Sequence, residues 1–266
     1  MRFKVVFAGL LLSLMLGGVS AESADRQVAW KTPEGLVDAF VELALKSGYS
    51  TRANPVRKWT TPIRYVIVHR VGDEQLHTRL VEAHLAHLSQ ITGLSIEPAV
   101  TPDTANYTIV LTHEDLLGAD TQRHMGAGTD GRREAFFRDS MCLASFHAGP
   151  KGAIVRAVAM IPVDRARGKG DLVGCVVEEL THMMGLSNDT EKPLPTIFHH
   201  HTVRSFLTGL DYLLLKMLYD PRVRPGMKEA ELRPVLLQIA VELQRAHLVE
   251  VADRIAAEGG LAGLSP

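Results

Sequence analysis

Apolar positions recur every three or four residues along some stretches of this chain and crowd together as β-branched runs in others. Leu36, Phe40, Val41 and Leu43 give residues 33–47 the spacing of a short helix. Residues 49–61 are polar around Pro55 and read as a linker. Ile63-Arg-Tyr-Val-Ile-Val-His69 has the composition of a strand. Asp73 is placed to cap a helix over 74–92, with Leu76, Leu80, Val81, Leu85, Leu88 and Ile91 as its stripe and Gly93 as its stop. Two further strands are predicted at Ser95–Pro98 and Tyr107–Leu111, followed by a glycine-containing loop over 114–133. Met141–His147 and Ala153–Ile161 then read as strands joined by the turn Ala148–Gly152. A basic loop over 165–171 leads to a helix over 172–185. A loop with Pro193 and Pro195 follows. Thr208 and Asp211 form a capping box for an apolar helix over 208–219. Pro221, Pro225 and Gly226 end it, and a helical region covers 228–257 with Pro234 early in it.

The resulting fold class is α+β, a mixed sheet backed by two helices with a helical region at the C-terminus. Residues 1–21 read as a cleaved signal peptide: Arg2 and Lys4 precede the apolar run Val5–Leu16, and Val19-Ser-Ala21 supplies small residues for cleavage. The expected segments are therefore 1–21 as signal peptide, 22–60 as N-terminal helix and linker, 61–227 as the main domain and 228–266 as a helical extension. The implied location is outside the cytoplasm, periplasmic or secreted. No other run is long and apolar enough to span a membrane. An apolar content of 46% is that of a globular protein. A net charge of −1, made more negative by loss of Arg2 and Lys4, argues against a nucleic-acid partner. The chain has two cysteines, Cys142 and Cys175, and in an exported protein this pair suggests a disulfide.

The chemistry is concentrated in Cys175-Val-Val-Glu-Glu-Leu-Thr-His182-Met-Met-Gly185-Leu-Ser-Asn188-Asp189. Glu178 and His182 are four residues apart, so on a helix they share one face and can grip one cation. Glu179 between them can act as general base. Gly185 lets the chain leave the helix in a left-handed turn. The third donor is open. Asn188 is a poor zinc ligand, whereas Asp189, His199, His200 and His201 are better ones. Consecutive histidines alternate sides in an extended chain, so His199, His200 and His201 cannot all face one ion. His77, His84 and His87 read as a solvated helix face. Gly126-Ala-Gly-Thr-Asp-Gly131 follows no strand, which excludes a dinucleotide-binding turn.

Cys142, Cys175-Val-Val-Glu-Glu-Leu-Thr, Gly185-Leu-Ser-Asn-Asp189, Thr196-Ile-Phe198 and the run Leu213–Met227 resemble the exported bacterial family DUF2927 over residues 140–227. Members of that family often carry Gln where this chain has His182, and Asn-Asp where it has His199-His200. More distantly, Glu178-Glu179-x-x-His182-x-x-Gly185 resembles the zinc helix of zincins, in its extended metzincin form. Gly185-Leu186, Thr196–Phe198 and Leu207-Thr-Gly-Leu-Asp211 follow at similar spacing, and Phe198 sits closest to the Met-turn methionine. That resemblance implies a zincin-like fold and a zinc-dependent peptidase acting on a peptide or protein, with Glu179 catalytic and Glu178, His182 and one of Asp189, His199 and His200 holding Zn2+. A carboxylate in place of the first histidine adds negative charge and should slow attack by water at neutral pH. The alternative is a non-catalytic periplasmic binding or assembly module that keeps the cleft of such a fold.

Overall fold

The computed structural model describes residues 29–47, 53–126, 140–199 and 204–264. The signal peptide, His200 and His201 lie outside the described residues. The sheet is built from β1 (Lys58–Trp59), β2 (Ile63–His69), β3 (Ile96–Pro98), β4 (Tyr107–Thr112), β5 (Leu143–Ala148) and β6 (Ala153–Pro162). Its central order is β6-β4-β2-β3, all parallel. β5 runs antiparallel along β6, to which it is joined by the turn predicted at 148–152. The fold is thus mixed α/β around a largely parallel sheet.

β2 and β3 are adjacent and parallel, so the chain must cross over between them. It does so through α2 (Glu74–Thr92), with Gly93 in the left-handed conformation that ends the helix at φ +72°. Asp73 starts α2 where expected but does not cap it. Its carboxylate instead meets Arg167 at 2.8 Å. Alternation along the strands fixes which face each residue serves. Ile109 and Leu111 of β4 and Ala157, Ala159 and Ile161 of β6 face the main core, while Val110, Val158 and Met160 face a smaller one.

The smaller core is closed by a helix that the sequence pattern concealed. Residues 114–133 were expected to be a loop, yet 117–125 form α3 (Leu117–Met125), which buries Leu117, Asp120 and Thr121. Two of those three are polar, so no apolar stripe announces the helix. Asp120 is satisfied by the Thr112 hydroxyl at 2.5 Å and by Arg70 at 3.4 Å. The expected loop at 165–171 is likewise partly helical, as α4 (Val163–Gly168). The expected linker at 49–61 contains β1. There Lys58 is buried and its ammonium donates to the carbonyls of Leu218 and Val223, capping the end of another helix. Burial pushes this lysine down to about 8.

Among the described residues the remaining α-helices are α1 (Pro33–Phe40), α5 (Leu172–His182), α6 (Gly209–Leu218), α7 (Glu229–Arg245) and α8 (Leu248–Glu258). α1 continues into a π-helical turn at Val41–Leu45, and α6 carries the predicted Thr208–Asp211 capping box. The helical region expected at 228–257 is two helices, α7 and α8, broken at His247. Leu36 and Phe40 of α1, Leu88 of α2, Leu180 of α5, Leu214 of α6 and Leu236 of α7 belong to one buried cluster. The N-terminal and C-terminal helices therefore share the core of the sheet.

Candidate metal site

α5 is fixed at both ends. At its start, Cys175 is disulfide-bonded to Cys142, which precedes β5, with 5.8 Å between the Cα atoms. At its end, the carbonyls of Met183 and Met184 have no helical partner. The Trp59 indole donates to the first at 2.8 Å and the Tyr219 hydroxyl to the second at 2.9 Å. Gly185 then turns the chain at φ +114°, where a Cβ would also run into the Arg57 carbonyl. This is the left-handed exit anticipated from the motif, and a close backbone approach adds to the need for glycine.

The turn brings three predicted donors together. Ligand atoms of Glu178, His182 and Asp189 all lie within 4.8 Å of one another, each residue half-buried. His182 Nδ1 sits 2.6 Å from the Leu186 carbonyl, which can only accept, so Nδ1 carries a proton. Nε2 is thereby aimed at Asp189, 3.0 Å away. Such a bond to the far ring nitrogen is how a metal-binding imidazole is usually oriented. The Phe198 ring packs on His182 with centroids 4.3 Å apart. Phe198 is held in turn by buried Asp211, which accepts from Thr196 at 2.5 Å and from the Ile197 amide at 3.2 Å.

Charge is crowded here. Burial raises Glu178 to about 7, with His182 opposing and Asp189 reinforcing the shift. Burial raises Glu179 to about 8, again against the pull of His182. Burial alone would lower His182, but Asp189, Glu179 and Glu178 together outweigh it and lift the ring to about 10. Glu179 is shut in beside Tyr107, whose buried hydroxyl has no hydrogen-bond partner. Burial first, and the charge of Glu179 second, raise that phenol. An imidazole and two carboxylates form a donor set that suits zinc.

Asn188, a poor zinc ligand by its chemistry, points elsewhere: its side-chain amide donates to the Glu42 carbonyl at 3.0 Å. His199, one residue beyond Phe198, is not among the three converging donors. His77, His84 and His87 do not form a solvated face, since all three are buried. His77 Nε2 accepts from Arg167 at 3.1 Å, His84 meets Thr181 at 3.0 Å, and His87 lies against the Gly259–Gly260 backbone. Their partners come from distant parts of the chain, which no local pattern could reveal. Of two cavities, one of about 340 Å3 beside Tyr219 and Arg222 and a small one beside His84 and Val177, neither is lined by Glu178, His182 or Asp189.

Fold and site together describe a mixed α/β protein with an internal disulfide and a carboxylate–histidine cluster at the end of one helix. The chain belongs to the family described as protein of unknown function (DUF2927), which matches residues 33–238. The match runs from α1 into α7, well beyond the 140–227 stretch whose motifs carried the resemblance. No curated protein matches the chain.

Proposed function

We propose that this protein is an exported, zincin-like metal-dependent hydrolase of the peptidase type, with Glu178, His182 and Asp189 holding Zn2+ and Glu179 as general base. The observation that carries this reading is the convergence of three donors within 4.8 Å. The order of elements supports the zincin-like part: the parallel strand β2, the backing helix α2, three more parallel strands (β3, β4 and β6) and the antiparallel β5 precede the Glu-Glu-x-x-His helix. The disulfide and the charged, apolar and small-residue succession in 1–21 support export. No helix among the described residues is long and apolar enough to cross a membrane.

Bound zinc would supply a Lewis acid that makes water a better nucleophile at neutral pH. His182 would present Nε2 while Leu186 keeps the proton on Nδ1. Glu178 and Asp189 would balance the cation with two negative charges. In the metal-free protein burial keeps Glu179 largely protonated near neutral pH. A bound cation would favour its ionised form, which would then be free to take up a proton on its carboxylate.

Metal content of the untagged mature protein, and cleavage of a peptide library with and without chelator, provide the test. Glu179→Gln should retain zinc while cleavage falls about 10²–10⁴-fold. His182→Ala should lose the zinc. A parent protein that carries no zinc and cleaves nothing at neutral pH sinks the catalytic reading. A second reading, a non-catalytic binding or assembly module, is favoured by the His182–Asp189 pair, which satisfies both partners without a cation. On that reading neither substitution changes metal content, and Glu179→Gln alters partner binding alone.

A further inference from the structure

Asp189 is the donor least constrained by secondary structure. Glu178 and His182 ride on α5, whereas Asp189 stands in the segment after Gly185 and depends on what holds that segment in place. Its two neighbours are both anchored to one place. The Asn188 amide donates to the Leu43 carbonyl at 3.0 Å, and the Asn188 side chain donates to the Glu42 carbonyl at 3.0 Å. The Thr190 hydroxyl donates to Glu42 Oε1 at 3.2 Å. Asn188, Thr190 and Glu42 are all buried. Between them, Asp189 turns the other way and meets His182.

Glu42 can serve as this anchor because its charge is balanced. Lys192 Nζ lies 2.5 Å and Lys46 Nζ 2.8 Å from Oε2. Burial would raise this carboxyl, but the two lysines outweigh it and hold it below its usual value. Lys192 also extends the grip, since it lies two residues past Thr190 on the same segment. A buried ionised carboxylate thus ties Thr190 and Lys192 to the π-helical turn at 41–45, beside the backbone carbonyls of Glu42 and Leu43 that hold Asn188.

We propose that Glu42 is a positioning residue for the metal site: by holding Asn188, Thr190 and Lys192 it sets the direction of the Asp189 carboxylate toward His182 and Glu178. The inference rests on the reading that those three residues hold a cation. It adds to that reading a group nearly 150 residues away in the chain that touches no ligand atom. Loss of a group that orients a ligand typically weakens metal binding by about 10–100-fold.

The experiment uses the mature protein and zinc alone. Zinc affinity is measured by competition with a chromogenic chelator for the parent, Glu42→Gln, Asp189→Asn and the double variant. Amide hydrogen exchange is followed on the metal-free proteins. Glu42→Gln should weaken zinc binding about 10–100-fold in the parent and leave it unchanged in the Asp189→Asn background. In the absence of metal, exchange at residues 188–190 should quicken. An equal loss in both backgrounds would mean that Glu42 acts through general stability, and overturns the proposal. So does a Glu42→Gln protein that binds zinc like the parent while Asp189→Asn does not, an outcome that leaves the site reading intact. If Asp189→Asn binds like the parent, or the parent takes up no zinc, the site reading fails and this inference with it. Should Glu42→Gln not fold, Lys192→Met, at a half-exposed position, tests the same contact. Unchanged zinc affinity in that variant also overturns the proposal.

Discussion

His84 and His182 stand on α2 and α5, which pack against each other, and both rings are withdrawn from solvent. Their surroundings drive them in opposite directions. Around His84 burial dominates, His87 adds repulsion, and the ring is pushed down to about 3. Around His182 three carboxylates overcome burial and lift the ring to about 10. Even the ring nitrogens are engaged differently. The Thr181 hydroxyl donates to the Val177 carbonyl at 2.6 Å, so it must accept from His84 Nε2, whereas the charged His182 ring faces an acceptor at each nitrogen, the Leu186 carbonyl at Nδ1 and Asp189 at Nε2. Burial thus does not by itself separate a structural histidine from a chemical one. The charges that converge on the ring do.

The most forceful way to break this contrast is to place a charge where His84 sits. His84→Lys should cost about 3–5 kcal/mol of stability in urea unfolding, the usual penalty for an unpaired buried charge. A variant within about 1 kcal/mol of the parent would show that the α2 histidines are not buried as described. The pH dependence of stability in chelator-treated protein sharpens the contrast further. His84 has a folded value below its unfolded one near 6.5, so its contribution is present above that pH. It is lost as pH falls toward about 3, by about 1.4 kcal/mol per unit at most. His182 is the reverse: its contribution is full below about 6.5 and is lost as pH rises toward about 10. Glu178 and Glu179 are raised, so they add to the loss as pH climbs from about 4.5 through about 7 and 8. His84→Gln should flatten the acid limb and leave the alkaline one, whereas His182→Gln should leave the acid limb and change the alkaline one, removing the share of His182 and raising Glu178 and Glu179 further. Limbs that both variants flatten equally would contradict the assignment. The smallest effect is expected at Thr181, which touches both regions. Thr181→Val leaves His84 Nε2 unpaired and should cost about 1–2 kcal/mol, read from the same urea curves.

The sequence made visible those parts of the molecule whose cause is local. The bounds of β2 and α2, the stop at Gly93 and the capping box at Thr208 follow from neighbours in the chain, and they came out as read. The pairing of Cys142 with Cys175 needed only a count and a compartment. The register of Glu178 and His182 was legible because helical spacing is local, but the choice of Asp189 over His199 was not. It depends on the turn at Gly185 and on Asn188 reaching back to Glu42. Two of the misread segments share one trait: α3 buries Asp120 and Thr121, and α2 buries His77, His84 and His87. Polar residues are coded for the surface in any hydropathy pattern. They go inside only when a distant partner satisfies them, as Thr112 does for Asp120 and Thr181 for His84.

Asn188 has a second consequence, which concerns the order in which the chain is made. The carbonyls of Glu42 and Leu43 stand at the C-terminal end of the first helical segment, where a helix cannot satisfy its own acceptors. They are closed by a residue 146 positions later. At roughly 5–20 residues per second, a ribosome delivers Asn188 about 10–30 s after Glu42 has emerged. Through that interval only water can meet the Glu42 and Leu43 carbonyls, and the turn at 41–45 lacks its partner from the later chain. The end of the helical segment at 33–45 therefore takes its final form only when the segment bearing Asp189 arrives, so the helix end and the site are completed in a single event.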